Sequence, residues 1–250
     1  MVDVSIVIPT YNEELHIVNT IQETSKTMNR FQIPHEIIIV DDGSTDNTSI
    51  EASKAASSFD NVKVVHYSQN HGKGNAIKYG CRFASGDLVT FLDADLELHP
   101  NQLPTLLEYM KKYNADIVVG SKRHPESRIN YPTNRKLLSL AYLLVVKLLF
   151  RLPISDTQLG LKLYRRKVID TIIPKMLVKR YAYDIEILAS ARHSGYKMID
   201  APIVLHYHRK KGRIKLKDIL KIANDTIAVF YRLYILKYYD KKIGLQGRIA

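Results

Sequence analysis

The sequence predicts an α/β protein: a mostly parallel, doubly wound sheet with helices on both faces and amphipathic C-terminal helices. Three observations predict it. Apolar runs free of breakers, VSIVI at 4–8, EIIIV at 36–40 and LVTFL at 88–92, read as strands buried on both faces. Stretches with apolar residues at helical spacing separate these runs, and strands alternating with helices need crossovers that keep successive strands parallel. Every unusual polar cluster of the first half then falls at a strand's carboxyl end, where such sheets gather their ligands.

Taken in order, the first strand is ended by Pro9 and the loop PTYNEE, and Asn12 is positioned to cap a helix carrying Leu15, Val18, Ile21 and Met28. The second strand closes on DDGSTD, where Gly43 permits a tight turn and Asp46 or Asn47 caps the next helix. Val62 to Tyr67 reads as a third strand, followed by NHGKGNA and a helix through Ala84. The strand in GDLVTFLDADLE (86–97), a helix over 101–113 and a strand over 116–119 complete the series. Residues 1–120 are expected to form a nucleotide-binding half, 121–215 an acceptor-binding half of the same domain, and 216–250 an amphipathic helical segment.

The net charge of +12 is unevenly distributed. Residues 1–120 hold 9 Lys and Arg against 16 Asp and Glu, a balance of −7, whereas residues 121–250 hold 28 against 9, a balance of +19. Such asymmetry calls for an anionic partner on the second half. The single cysteine, Cys81, excludes a disulfide framework, and no Cys/His zinc spacing or secretory signal is visible, which points to a reducing, cytoplasmic setting. No G-x-G-x-x-G follows the first strand and no G-x-x-x-x-G-K occurs, so a dehydrogenase or ATPase is disfavoured.

The stretch 86–97 carries the chemistry. If the strand alternation continues, it delivers Asp93, Asp95 and Glu97 to one edge of the sheet. Clustered carboxylates repel one another and resist desolvation, so a fold that keeps them together needs a cation, and hard oxygen ligands suit Mg²⁺ or Mn²⁺ better than zinc.

The strand followed by PTYNEE, the strand followed by DDGSTD, the HGKGNA turn and GDLVTFLDADLE, in this order and spacing, resemble the inverting nucleotide-sugar glycosyltransferases of family 2, which have the GT-A fold. The resemblance implies that Asp42 reads base and ribose, with Pro9, Tyr11 and Glu13 lining the same pocket. It also implies that Asp93 and Asp95 hold a divalent metal on the donor diphosphate, with Lys73 nearby. GSK at 120–122, NRKLLS at 134–139, DTQLGLKLY at 156–164, RYAYDIEIL at 180–188 and RKKGRIKL at 209–216 resemble polyprenyl-phosphate glycosyltransferases, and look closer to the dolichyl-phosphate β-glucosyltransferases than to the mannosyl enzymes. Transfer of one hexose from a nucleotide sugar, UDP-glucose favoured, to a polyprenyl or dolichyl phosphate is therefore expected. The alternatives are a GDP-mannose-dependent mannosyltransferase and a family 2 enzyme acting on a saccharide hydroxyl.

A phosphate monoester acceptor, with its second pKa at about 6, is largely dianionic near neutral pH and needs no strong base. Positioning matters more. Arg135 and Ser139, four residues apart on one helix face, are the expected acceptor-phosphate ligands, with Lys122, Arg123 and Arg209 as further candidates. Asp156 and Gln158 are expected to shape the sugar site. Asp184 is assigned to orienting donor sugar or acceptor ligands, although relatives that glycosylate hydroxyls use an aspartate there as catalytic base.

No segment is long enough to span a membrane: the best apolar run, Leu137 to Phe150, has 14 residues and is interrupted by Lys147, against the roughly 20 required. In the C-terminal segment Ile219, Leu220, Ala223, Ile227, Phe230 and Tyr234 form an apolar stripe opposite Lys217, Asp218, Lys221, Asn224, Asp225 and Arg232. A peripheral protein on the cytoplasmic face of an anionic membrane is expected, with a homo-oligomer as the other use of that stripe. Nucleic acid is disfavoured as a partner because an acidic crevice would repel its backbone.

Overall fold

The computed structural model describes residues 2–130, 133–180, 182–206 and 216–241. The apolar runs fold into β1 (Val4–Thr10), β2 (His35–Asp42), β3 (Val62–Tyr67), β4 (Leu88–Phe91) and β5 (Ile117–Gly120). Between them lie α1 (Ile17–Arg30), α2 (Thr48–Ala56), α3 (Lys73–Gly80) and α4 (Leu103–Tyr113). The second half adds β6 (Arg128–Asn130), α5 (Thr133–Phe150), β7 (Lys162–Arg165), α6 (Arg166–Ile172), α7 (Tyr183–His193), β8 (Met198–Ala201), β9 (Val204–His206) and α8 (Leu216–Phe230).

Among the described residues, seven strands form the main sheet in the order β3-β2-β1-β4-β7-β5-β8. All neighbours run parallel except β7, which pairs antiparallel with both β4 and β5, Thr90 opposite Leu163 and Val118 opposite Leu163. A separate parallel pair joins β6 to β9. The mostly parallel sheet is as expected, and β7 is the exception that the sequence did not disclose. It wedges a strand of the second half between two strands of the first.

Alternate residues of the central strands feed two cores. Val7, Ile38, Val40, Val89 and Phe91 face α3, α5, α6 and α7, while Ile6, Ile8, Ile37 and Ile39 face α1 and α4. Burial on both faces is why these strands read as continuous apolar runs. The edge strand β3 is wetter, with Lys63 and His66 outward.

Two local expectations are corrected, and the C-terminal helix shows which of its faces packs. The first helix starts at Ile17, not after Asn12, and Leu15 is 84% exposed. Asn12 instead takes a left-handed backbone (φ 56°), which asparagine tolerates, and its side chain accepts hydrogen bonds from Thr45. On the C-terminal helix, Ala223, Ile227 and Tyr234 of the apolar stripe face solvent, whereas Thr226, Val229 and Leu233 on a neighbouring face are buried. The helix carries apolar residues on more than one face, so the periodicity did not decide which face packs. Finally, the strand alternation stops at Phe91, and Leu96 has a left-handed backbone (φ 54°), so Asp93, Asp95 and Glu97 do not line one edge.

Candidate active site

The ends of β1, β2 and β4 converge with the turn before α3 on one cavity of about 370 Å³, within the range of small-molecule sites. Pro9, Thr10, Tyr11, Glu13, Asp42, Asn70, Gly72, Lys73, Asp93, Ala94, Asp95 and Arg180 line it.

Backbone-to-side-chain bonds brace its upper wall. Asn12 N–H donates to Ser44 Oγ (3.0 Å), Glu13 N–H to Thr48 Oγ1 (2.7 Å), and Asn47 N–H to Glu14 Oε2 (3.0 Å), so the loops after β1 and β2 hold each other. Gly43 is needed twice over: its φ is 71°, and a Cβ there would meet the Gln69 carbonyl carbon at 2.7 Å. Asp42 is buried and accepts bonds from the Tyr67 hydroxyl (2.6 Å) and from the N–H groups of His71 (2.8 Å) and Gly72 (2.9 Å). This carboxylate thus fixes the turn leading to Lys73 as well as lining the cavity.

Lys73 Nζ forms an ion pair with Asp93 Oδ1. Partial burial would lower the ammonium, but Asp93, backed by Asp184 and Asp95, holds it above the ordinary lysine range. Asp93 is also approached from the DTQLG segment: a Cβ on Gly160 would sit 2.9 Å from Asp93 Oδ2. Two residues on, Lys162 is wholly buried and donates to Asp184 Oδ1 (2.7 Å) and the Leu159 carbonyl (2.5 Å). Burial pushes the Asp184 carboxyl up, and the Lys162 ammonium opposes that rise.

The remaining predicted residues lie elsewhere. Glu97 lines a second cavity of about 650 Å³, with Leu96, His99, Gln102, Glu126 and Arg128. Among the described residues, no group of three or more His, Cys, Asp or Glu side chains is arranged to hold a metal. Lys122 and Arg123 gather on buried Asp156, at 3.2 and 3.9 Å, and Arg123 also donates to the Ser155 carbonyl (3.1 Å). Asp156 in turn accepts from the N–H groups of Gln158 (3.2 Å) and Leu159 (3.3 Å), shaping the turn that brings in Gly160, while the Gln158 side chain is exposed. Positions 135 and 139 fall on α5, but their side chains lie outside the described residues, as does Arg209.

Sequence reasoning missed Lys162 and Arg180. A lysine inside the apolar run LGLKLY was the available signal, because a charge on a buried strand requires a buried partner. Arg180 stood in a quoted motif without a sign that it would reach the cavity.

The family model described as glycosyl transferase family 2 matches residues 5–173. The chain belongs to this family. The transferase is 33% identical over 253 residues to the dolichyl-phosphate beta-glucosyltransferase ALG5A of Trichomonas vaginalis, covering 95% of this chain and 76% of that protein. It is 32% identical to ALG5D of the same organism, covering 96% and 77%. It also superposes on glucosyl-3-phosphoglycerate synthase from Mycobacterium tuberculosis, crystallised with Mn²⁺, UDP-glucose and phosphoglyceric acid, with a TM-score of 0.67 at 20% identity over 97% of this chain and 81% of that one. The transferase thus has the GT-A fold and is a nucleotide-sugar glycosyltransferase. Among its described residues no helix is long and apolar enough to cross a membrane.

Proposed function

We infer that the transferase moves one hexose, with inversion, from UDP-glucose to a polyprenyl or dolichyl phosphate at the cytoplasmic face of a membrane. The observation that carries this reading is the convergence of Asp93, Asp95, Lys73 and Arg180 on one cavity, in a chain similar over most of its length to dolichyl-phosphate beta-glucosyltransferases. The donor set fits a hard divalent cation: Asp93 and Asp95 offer only oxygen, both are part-exposed, and the missing Cβ of Gly160 leaves room beside Asp93. With Mg²⁺ or Mn²⁺ bound there, the metal supplies Lewis-acid stabilisation of the leaving diphosphate.

The chain's own residues do the rest. Pro9, Tyr11, Glu13 and Asp42 wall the nucleoside end, and Lys73 and Arg180 neutralise charge developing on the diphosphate. Glu97, which lines the other cavity, stands behind the ligand pair rather than in it. Lys162 holds Asp184 in one orientation at the sugar, and Asp156 shapes the turn that frames it, with Gln158 at the turn's surface. On the acceptor side, Lys122, Arg123, Arg135, Ser139 and Arg209 would hold a lipid phosphate that is itself the nucleophile.

Exposed apolar stripes support a membrane surface as partner. Leu140, Leu144 and Leu148 repeat every fourth residue on α5, and Ile227, Tyr231 and Ile235 do so along α8 and the π-turn that extends it. A second copy of the chain is the competing occupant. Incubation with UDP-glucose, GDP-mannose and a short polyprenyl phosphate, with Mg²⁺ or Mn²⁺, tests the assignment. Glucosyl transfer to the lipid phosphate is expected, and transfer only to a saccharide hydroxyl would overturn it.

A further inference from the structure

Glu186 lies two residues beyond Asp184 on α7, yet it does not line the donor cavity. It is wholly buried and gathers donors from two distant segments. The N–H of Leu177 donates to it at 3.0 Å and the N–H of Val178 at 2.7 Å. From the C-terminal side the Tyr239 hydroxyl donates to Oε1, and Arg232 Nη2 stands 3.6 Å from the same oxygen.

Residues 176–180 form a strap between Glu186 and the donor turn. The Lys179 carbonyl accepts from Asn75 N–H (3.2 Å). A Cβ on Gly72 would lie 2.6 Å from that carbonyl, and one on Gly74 would lie 2.5 Å from the Val178 carbonyl. Strap and turn are thus in backbone contact, with Lys73 between the two glycines and Arg180 at the strap's end, both lining the cavity. Lys78 of α3 holds the strap's other end through the Pro174 (3.1 Å) and Met176 (2.8 Å) carbonyls. The C-terminal turn is itself anchored: Lys175 donates to the Tyr239 carbonyl (2.6 Å), and His193 pairs with Asp240 (2.7 Å).

We propose that Glu186 and Tyr239 are positioning residues for the donor: they latch the C-terminal turn to the strap and so set where Lys73 and Arg180 meet the donor diphosphate. Tight packing leaves the strap no slack, so a shift at Glu186 reaches the glycine turn. This rests on the reading of the cavity as a nucleotide-sugar site. Tyr239→Phe removes the hydroxyl and keeps the ring, leaving a buried carboxylate oxygen short of a donor.

The test compares KM for UDP-glucose, kcat, and Kd for UDP with Mn²⁺ in wild type, Tyr239→Phe and Leu106→Ala, the last a truncation in the opposite core. Tyr239→Phe should raise the donor KM and the UDP Kd about tenfold, tenfold being about 1.4 kcal/mol, and lower kcat as well, since Lys73 and Arg180 also meet the charge that develops on the diphosphate. Leu106→Ala should lower Tm and leave both constants unchanged. An unchanged KM in Tyr239→Phe, or an equal rise in Leu106→Ala, overturns the latch. Should Tyr239→Phe not fold, Lys78→Met, which frees the strap on its other side, must raise the donor KM and the UDP Kd in the same way or the proposal falls. A wild-type protein that binds no UDP overturns the donor reading itself, whereas wild-type binding with an unaltered Tyr239→Phe overturns the latch alone.

Discussion

Lys162 and Asp184 meet at 2.7 Å in the protein interior, the ammonium wholly buried and the carboxylate nearly so. A buried charge without its partner is far costlier than the pair. Lys162→Met should therefore cost about 3–5 kcal/mol in unfolding free energy. The double variant with Asp184→Asn should recover much of that stability in denaturant titrations without recovering turnover. If Asp184 orients rather than abstracts a proton, Asp184→Asn alone should lower kcat by less than the roughly 10²–10⁴-fold that a lost general base brings.

Asp95 and Glu97 are two residues apart, but line different cavities. Chelation with EDTA should abolish transfer, and Mg²⁺ or Mn²⁺ should restore it. Asp95→Asn should raise the metal concentration needed for half-maximal rate about tenfold or more, the loss of one charge-assisted ligand. Glu97→Gln should stay within about twofold by the same titration, because the Glu97 N–H that donates to Asp95 Oδ1 (3.1 Å) is kept.

Acid stability should depend on Glu36. Burial raises its pKa, but hydrogen bonds from Ser5 (2.6 Å), the Ser85 hydroxyl (2.8 Å), and the N–H groups of Ser85 and Gly86 outweigh it, leaving the group below the ordinary glutamate range. A depressed carboxyl stabilises the fold fully above its unfolded pKa of about 4.3 and loses that contribution as pH falls through the lower folded value. Glu36→Gln should thus be less stable than wild type at pH 7. The gap should close below about pH 4 in chemical-denaturation profiles.

Leu148 is 82% exposed on α5, so replacing it costs the core nothing. Leu148→Glu should leave Tm and transfer to a short, water-soluble polyprenyl phosphate unchanged while weakening flotation with anionic liposomes. Equal flotation by both proteins would favour another use of the stripe.

What the sequence disclosed and what it withheld have separate physical causes. That Pro9, Asp42 and Asp93 line one cavity was legible because each stands just after or at the end of an unbroken apolar run, and a doubly wound sheet brings such ends together. The placement of β7 was not legible, since a four-residue strand says nothing about its neighbours, which are chosen by tertiary contacts. The internal bonds of Asp42 escaped notice because two of its three donors are backbone groups. Glu97 was set on one edge with Asp93 and Asp95 by carrying a period of two past Phe91, where the strand ends.

The antiparallel strand β7 also has a bearing on how the chain folds. Because it fills the gap between β4 and β5, the second edge of β4, whose other edge pairs with β1, stays open and β5 has no partner until residues 162–165 have been synthesised. Such long-range pairing slows folding and leaves the β4 edge open in the meantime. A fragment ending near residue 120 would keep that edge permanently unpaired, displaying the hydrophobic LVTF to other chains, and so self-association rather than an isolated nucleotide-binding unit is its expected fate.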